Sequence, residues 1–88
     1  MIMKDYIIMS PQGIHARPAT TLIRLAKNFK SVISLKKGNK TVKLNSMLNI
    51  LSLTIKGGET ISLIVEGEDE VIAAEAIDQF FTAQLKDL

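Results

Sequence analysis

Eighty-eight residues, 47% of them hydrophobic and 23% charged, suit one globular domain over residues 1–88 with a single two-layer core, and not a disordered or fibrous chain. The chain has no cysteine, which removes disulfides, thiolate metal sites and cysteine nucleophiles from consideration and fits a cytoplasmic setting. A formal net charge of +2 with no signal-peptide core and no apolar run long enough for a bilayer argues against membrane insertion.

Asp5 to Met9 ("DYIIM") predict a first strand, stopped by Pro11 and Gly13. A helix follows, because Ala19, Leu22, Ile23, Ala26 and Phe29 recur at three-and-four spacing with Arg24, Lys27 and Asn28 opposite them. Ser31–Lys37 and Lys40–Leu44 alternate apolar and polar residues around Gly38 and Asn39, the pattern of a β-hairpin. Asn45 or Ser46 can cap a short second helix in "SMLNILSLTI", closed by Gly57 and Gly58. Thr60–Val65 is rich in β-branched residues and predicts the last strand, ended by Gly67. A third helix follows, which Asp69 or its neighbours can cap, with Ala73, Ala76, Ile77, Phe80 and Gln84 on one face and Phe81 and Leu85 beside it.

The order βαββαβα predicts an α+β open-faced β-sandwich of split βαβ type: a four-stranded, mainly antiparallel sheet, its last strand between the first two, with three helices on one face. Lys27, Lys30, Lys36, Lys37, Lys40 and Lys43 make the first half basic, whereas acidic residues gather from Glu59 onward. Without interleaved aromatics these lysines are expected to be a solvated face and not a nucleic-acid surface.

The only histidine, His15, stands where the first loop turns into a helix, followed by Ala16, Arg17 and Pro18. In one reading it is a helix cap or a surface imidazole. In the other it lies at an anion site, since first-turn amides lack internal partners and the helix dipole favours negative charge there. Pro18 fixes the start of the helix at no cost in hydrogen bonds, Ala16 leaves the amides open, and the Arg17 guanidinium can pair with phosphate oxygens. No second histidine, carboxylate pair or glycine-rich phosphate loop accompanies His15, so no metal or cofactor is called for. A lone nucleophile beside an anion site suits a protein that receives a phosphoryl group and passes it on, not an enzyme.

"GIHARPAT" at Gly13–Thr20, "NSMLNILSL" at Asn45–Leu53 and "EGEDE" at Glu66–Glu70 closely resemble the HPr family, the histidine-containing phosphocarriers of the bacterial phosphotransferase system. The resemblance implies that His15 takes phosphate at Nδ1 from the phosphoenolpyruvate-dependent first enzyme and gives it to sugar-specific second components. By the same likeness Arg17 neutralises the phosphate, and Ser46 falls on the serine that a regulatory kinase modifies in some bacteria, a route to transcription regulators. This chain has Asn45 and Asn49 where the family commonly has a lysine and a glycine, which bears on the kinase and not on phosphoryl carriage. Some regulatory relatives lose the histidine; here it is kept.

Helical spacing sets Met47, Leu48 and Leu51 on one side of the short helix, with Ile50 and Leu53 elsewhere. Either all five are core, or the first three form, with Thr20, an exposed patch for protein partners. A module that must present His15 to several partners is expected to be a monomer. Two other readings predict different behaviour: a histidine-phosphorylated regulator of nitrogen or carbon control, and a small nucleic-acid or ligand-binding module that takes no phosphate.

Overall fold

A computed structural model describes all residues, 1–88. The elements run β1 (Ile2–Ile7), α1 (Ala16–Ala26), β2 (Val32–Lys37), β3 (Lys40–Lys43), α2 (Met47–Ser52), β4 (Thr60–Glu66) and α3 (Glu70–Gln79). A π-helical turn at Phe80–Gln84 and a 3-10 turn at Leu85–Asp87 continue α3.

The strands form one sheet in the order β1-β4-β2-β3, every neighbouring pair antiparallel. β4 therefore lies between β1 and β2, as the split βαβ order demands. Along β4, Ile61, Leu63 and Val65 are buried, and their register partners Tyr6 on β1 and Ile33 and Leu35 on β2 share that face. Ala19, Leu22 and Ala26 of α1, Ile50 of α2 and Ala73, Ile77 and Phe80 of α3 and its π-turn close the core over it. The opposite sheet face is open, with Met3, Ile7 and Val32 exposed.

Three expectations need correcting. β1 runs from Ile2 to Ile7, not Asp5 to Met9, and pairs with β4 from Ile2↔Val65 to Ile7↔Thr60. Its charged centre is held by tertiary partners: Lys4 Nζ and Tyr6 Oη both donate to Asp78 Oδ1 at 2.6 Å, and Asp5 accepts from the Ser62 hydroxyl. Gln84 is exposed, because the π-turn spends an extra residue per turn and brings Leu85 into the core in its place. Tyr6 stacks on Phe81 at 4.8 Å, and Phe80 meets Phe81 edge-on.

Asp69 precedes α3, but its carboxylate is not a cap. It accepts instead from the Lys30 and Ser31 amides, at 2.8 and 2.9 Å, and from the Ser31 hydroxyl. The lysines are the solvated face expected, with Lys27, Lys30, Lys36, Lys40 and Lys43 exposed and Lys37 alone half-buried. Lys37 is only 26% exposed and ion-paired with Glu59, Lys40 donates to the Ser52 carbonyl and Lys30 pairs with Glu68. Only Lys27, Lys36 and Lys43 of the six carry no such contact, so the basic face is smaller than composition suggests.

Candidate functional site

The chain leaving β1 is laced to the segment after α2. Ile8 donates to Glu59 O at 2.9 Å, Gly58 donates to Ile8 O at 2.8 Å, and Ile14 donates to Ile55 O at 3.1 Å. Gly13 closes a turn onto Ser10 O and adopts φ +67. A Cβ on Gly13 would lie 2.1 Å from Ile55 O, so glycine is required both by conformation and by the closeness of the two backbones.

This lacing delivers His15 to the N-cap position of α1, with extended backbone and its carbonyl accepting from Ala19 N at 3.1 Å. Its side chain does not cap the helix. Pro18 is buried in the first turn and has no N–H to offer. The amides of Ala16 and Arg17 have no helical acceptor behind them, and no acidic side chain lies in the first turn. That end of α1 is thus positively polarised and uncompensated, with the Ala16 and Arg17 side chains exposed beside it.

His15 itself is half-buried. Its Nε2 is the only enclosed side-chain polar atom in the protein without a hydrogen-bond partner. The two ring nitrogens are therefore unequal, since one is walled in and the other is not. Sequence reasoning placed the ring at the helix end; the enclosure of one nitrogen depends on tertiary packing and has no local signature.

The Thr20 hydroxyl donates to the Ala16 carbonyl at 2.9 Å and is half-buried one turn along α1. Packed against α1 is α2. Its N-cap, Ser46, accepts from Asn49 N at a long 3.5 Å, and the Asn49 side-chain amide donates to Asn45 Oδ1. Leu48 is 80% exposed, Met47 and Leu51 are half-buried against the core, and Ile50 and Leu53 are buried. The five apolar side chains thus divide three ways, and only Leu48 stands free.

Sequence reasoning missed Lys37. Its ammonium donates to the Thr54 carbonyl at 2.6 Å and reaches Glu59 Oε1 at 2.9 Å. Thr54 itself has φ +51, a left-handed conformation unfavourable for a β-branched residue. The Lys37 hydrogen bond, followed by that of the Lys56 amide, holds the Glu59 carboxyl below its ordinary range. A lysine at the end of an alternating strand carries no signal for this.

A protein-family model described as the PTS HPr component phosphorylation site matches residues 2–83. The chain belongs to the HPr family of the phosphotransferase system. Among HPr proteins, the phosphocarrier protein HPr of Lysinibacillus sphaericus is 39% identical over 82 residues, 93% of each chain. The crystal structure of HPr from Thermoanaerobacter tengcongensis superposes with a TM-score of 0.91 at 33% identity, covering 97% of this chain and 96% of that one. A structure described as an HPr dimer from the same organism superposes at 0.68 and 40% identity, covering 76% and 78% of the two chains. No helix here is long and apolar enough to cross a membrane.

Proposed function

We propose that residues 1–88 act as one phosphocarrier domain in which His15 Nδ1 accepts a phosphoryl group from the phosphoenolpyruvate-dependent first enzyme and yields it to sugar-specific second components. The observation that carries this reading is the inequality of the ring nitrogens. With Nε2 enclosed, Nδ1 is the nitrogen open to a donor. In the transfer the Nδ1 lone pair forms a bond to phosphorus as the donor's bond to it breaks, and the ring proton stays on Nε2. The Ala16 and Arg17 amides and the helix dipole receive the oxygens, and the exposed Arg17 guanidinium swings over them. Pro18 keeps that helix start in place. Since the site carries only a nucleophile and anion donors, it stores the group for a partner and does not spend it on a reaction of its own.

Leu48 forms the exposed centre of a partner-docking patch flanked by Met47, Leu51 and Thr20, suited to transient contacts with successive proteins. We place the protein in the cytoplasm as a monomer, since a module that presents one face to successive proteins must keep that face free. Ser46 caps α2; phosphorylated by a serine kinase, it would add charge beside Leu48 and alter the choice between the first enzyme and transcription regulators.

Incubation with phosphoenolpyruvate and a first enzyme, followed by intact mass, tests the reading. One acid-labile phosphate on the wild type and none on a folded His15→Ala variant is the expected outcome. A wild-type adduct elsewhere, or its persistence in His15→Ala, refutes it.

A further inference from the structure

Lys37 lies on β2, away from the residues proposed to handle phosphate, yet a continuous run of short contacts leads from it to His15. Its ammonium donates to Thr54 O at 2.6 Å and to Glu59 Oε1 at 2.9 Å. The same Glu59 oxygen accepts from Lys56 N at 2.6 Å, while Glu59 N donates to Lys56 O at 3.2 Å. The segment 54–59 is thereby closed on itself and tied to the sheet. From this segment, Glu59 O and Gly58 N grip Ile8, and Ile55 O grips Ile14 N, the residue before His15.

Two glycines make the coupling tight. A Cβ at Gly13 would lie 2.1 Å from Ile55 O, and one at Gly57 would lie 2.5 Å from Ser10 O. The two backbones touch without side chains between them, so displacement of one is passed to the other. At the far end, Thr54 holds a left-handed φ of +51 that its own side chain disfavours, so the conformation must be imposed by its surroundings. The charge-assisted bond from Lys37 to its carbonyl is the side-chain contact on Thr54 that can do so.

We propose that Lys37 is a positioning residue for His15, its ammonium fixing the 54–59 segment that in turn holds the backbone on which the imidazole stands. This rests on the reading of His15 as phosphoryl acceptor. Lys37 touches neither donor nor phosphate; it sets the ring's place at the helix end.

The test uses the full chain with Lys37→Met, Lys37→Arg and Glu59→Gln, the last keeping the acceptor oxygen but removing its charge. Three quantities are read: the rate of phosphoryl acceptance, the 15N signals of the His15 ring, and hydrogen exchange at Ile14 relative to β4. In Lys37→Met, acceptance is expected to fall about tenfold, with shifted ring signals and Ile14 exchange about tenfold faster than β4 exchange changes. Lys37→Arg restores most of each, and Glu59→Gln falls between. Unchanged acceptance and ring signals in Lys37→Met overturn the proposal, as does acceleration of Ile14 and β4 exchange by the same factor, which is loss of stability alone. If Lys37→Met does not fold, Glu59→Gln decides by the same readouts. A wild type that takes no phosphate defeats the acceptor reading, whereas ring signals and exchange still decide the positioning.

Discussion

Replacing Thr54 by glycine should stabilise the protein. Thr54 holds φ +51 immediately after the C-cap of α2, the place where helices commonly end on glycine. A residue with a Cβ pays about 1–2 kcal/mol in this region. Glycine removes that cost but gains freedom in the unfolded chain, an opposing effect of about 0.4–1 kcal/mol. The Thr54 side chain is exposed and makes no hydrogen bond, and the bonds of its backbone, from its N–H to Leu51 O and from Lys37 to its carbonyl, survive the change. The opposing ranges leave a net gain of about 0–1.6 kcal/mol, and the midpoint of about 0.8 kcal/mol corresponds to about 3–6 °C in Tm for a domain of this size. Thermal unfolding followed by circular dichroism, with urea titration alongside, measures it. An unchanged or lowered Tm for Thr54→Gly would show that the left-handed turn is unstrained, or that the threonine side chain makes a contribution its exposure conceals.

Gly13→Ala is the converse: with φ +67 and a Cβ placed 2.1 Å from Ile55 O, it should cost about 2 kcal/mol or more and lower phosphoryl acceptance, read by urea unfolding and a transfer assay. Leu48→Glu should change Tm little, since the side chain is 80% exposed, while weakening docking to a first enzyme about tenfold or more by titration calorimetry. The dependence of stability on pH should show a plateau with two edges. Asp78, held down chiefly by Lys4 and then Tyr6, Asp69, held down chiefly by Ser31 and then Lys30, and Glu59 all have lowered pKa values. Their contributions are present above the ordinary carboxylate values of 3.8 and 4.5 and are lost as pH falls below them. Tyr6 is raised, chiefly by burial and then by Asp78, so its contribution is present below the ordinary 10.0 and is lost above it. Urea midpoints across pH check both edges, and a midpoint still rising below pH 4 refutes the acidic one.

What the sequence disclosed and what it hid divide along the range of the interactions concerned. The stripe Ala19, Leu22 and Ala26 is buried as its spacing requires, because helical periodicity is local. The strand order followed from element order and handedness, which are also properties of the chain as a line. Local turn chemistry likewise marked the His15 loop, through Gly13 and Pro18. The limits of β1 were hidden, because Lys4 and Asp5 find Asp78 and Ser62 far along the chain. The displacement of Gln84 follows from an added π-turn residue that no apolar pattern announces. Asp69 had the composition of a cap, and the chain spent it on a loop thirty-eight positions away. The two features that most shape the candidate site, the enclosed Nε2 and the Lys37 bridge, arise from packing between elements distant in sequence.

The placement of β4 between β1 and β2 also bears on how the chain is made. Asp5 and Ser62 meet across the β1–β4 ladder although they are 57 positions apart. At about 5–20 residues per second of synthesis, the first strand therefore waits about 3–11 s for its only neighbour in the sheet. During that wait Met3 and Ile7 are exposed, as they remain in the finished protein, and an unpaired strand with apolar residues invites pairing with another chain. Lys4 and Asp5, centred in β1, counter this, as charged side chains on an unpaired strand do. The pair that obscures the strand in the sequence is also the charge that guards its edge while the chain is being made.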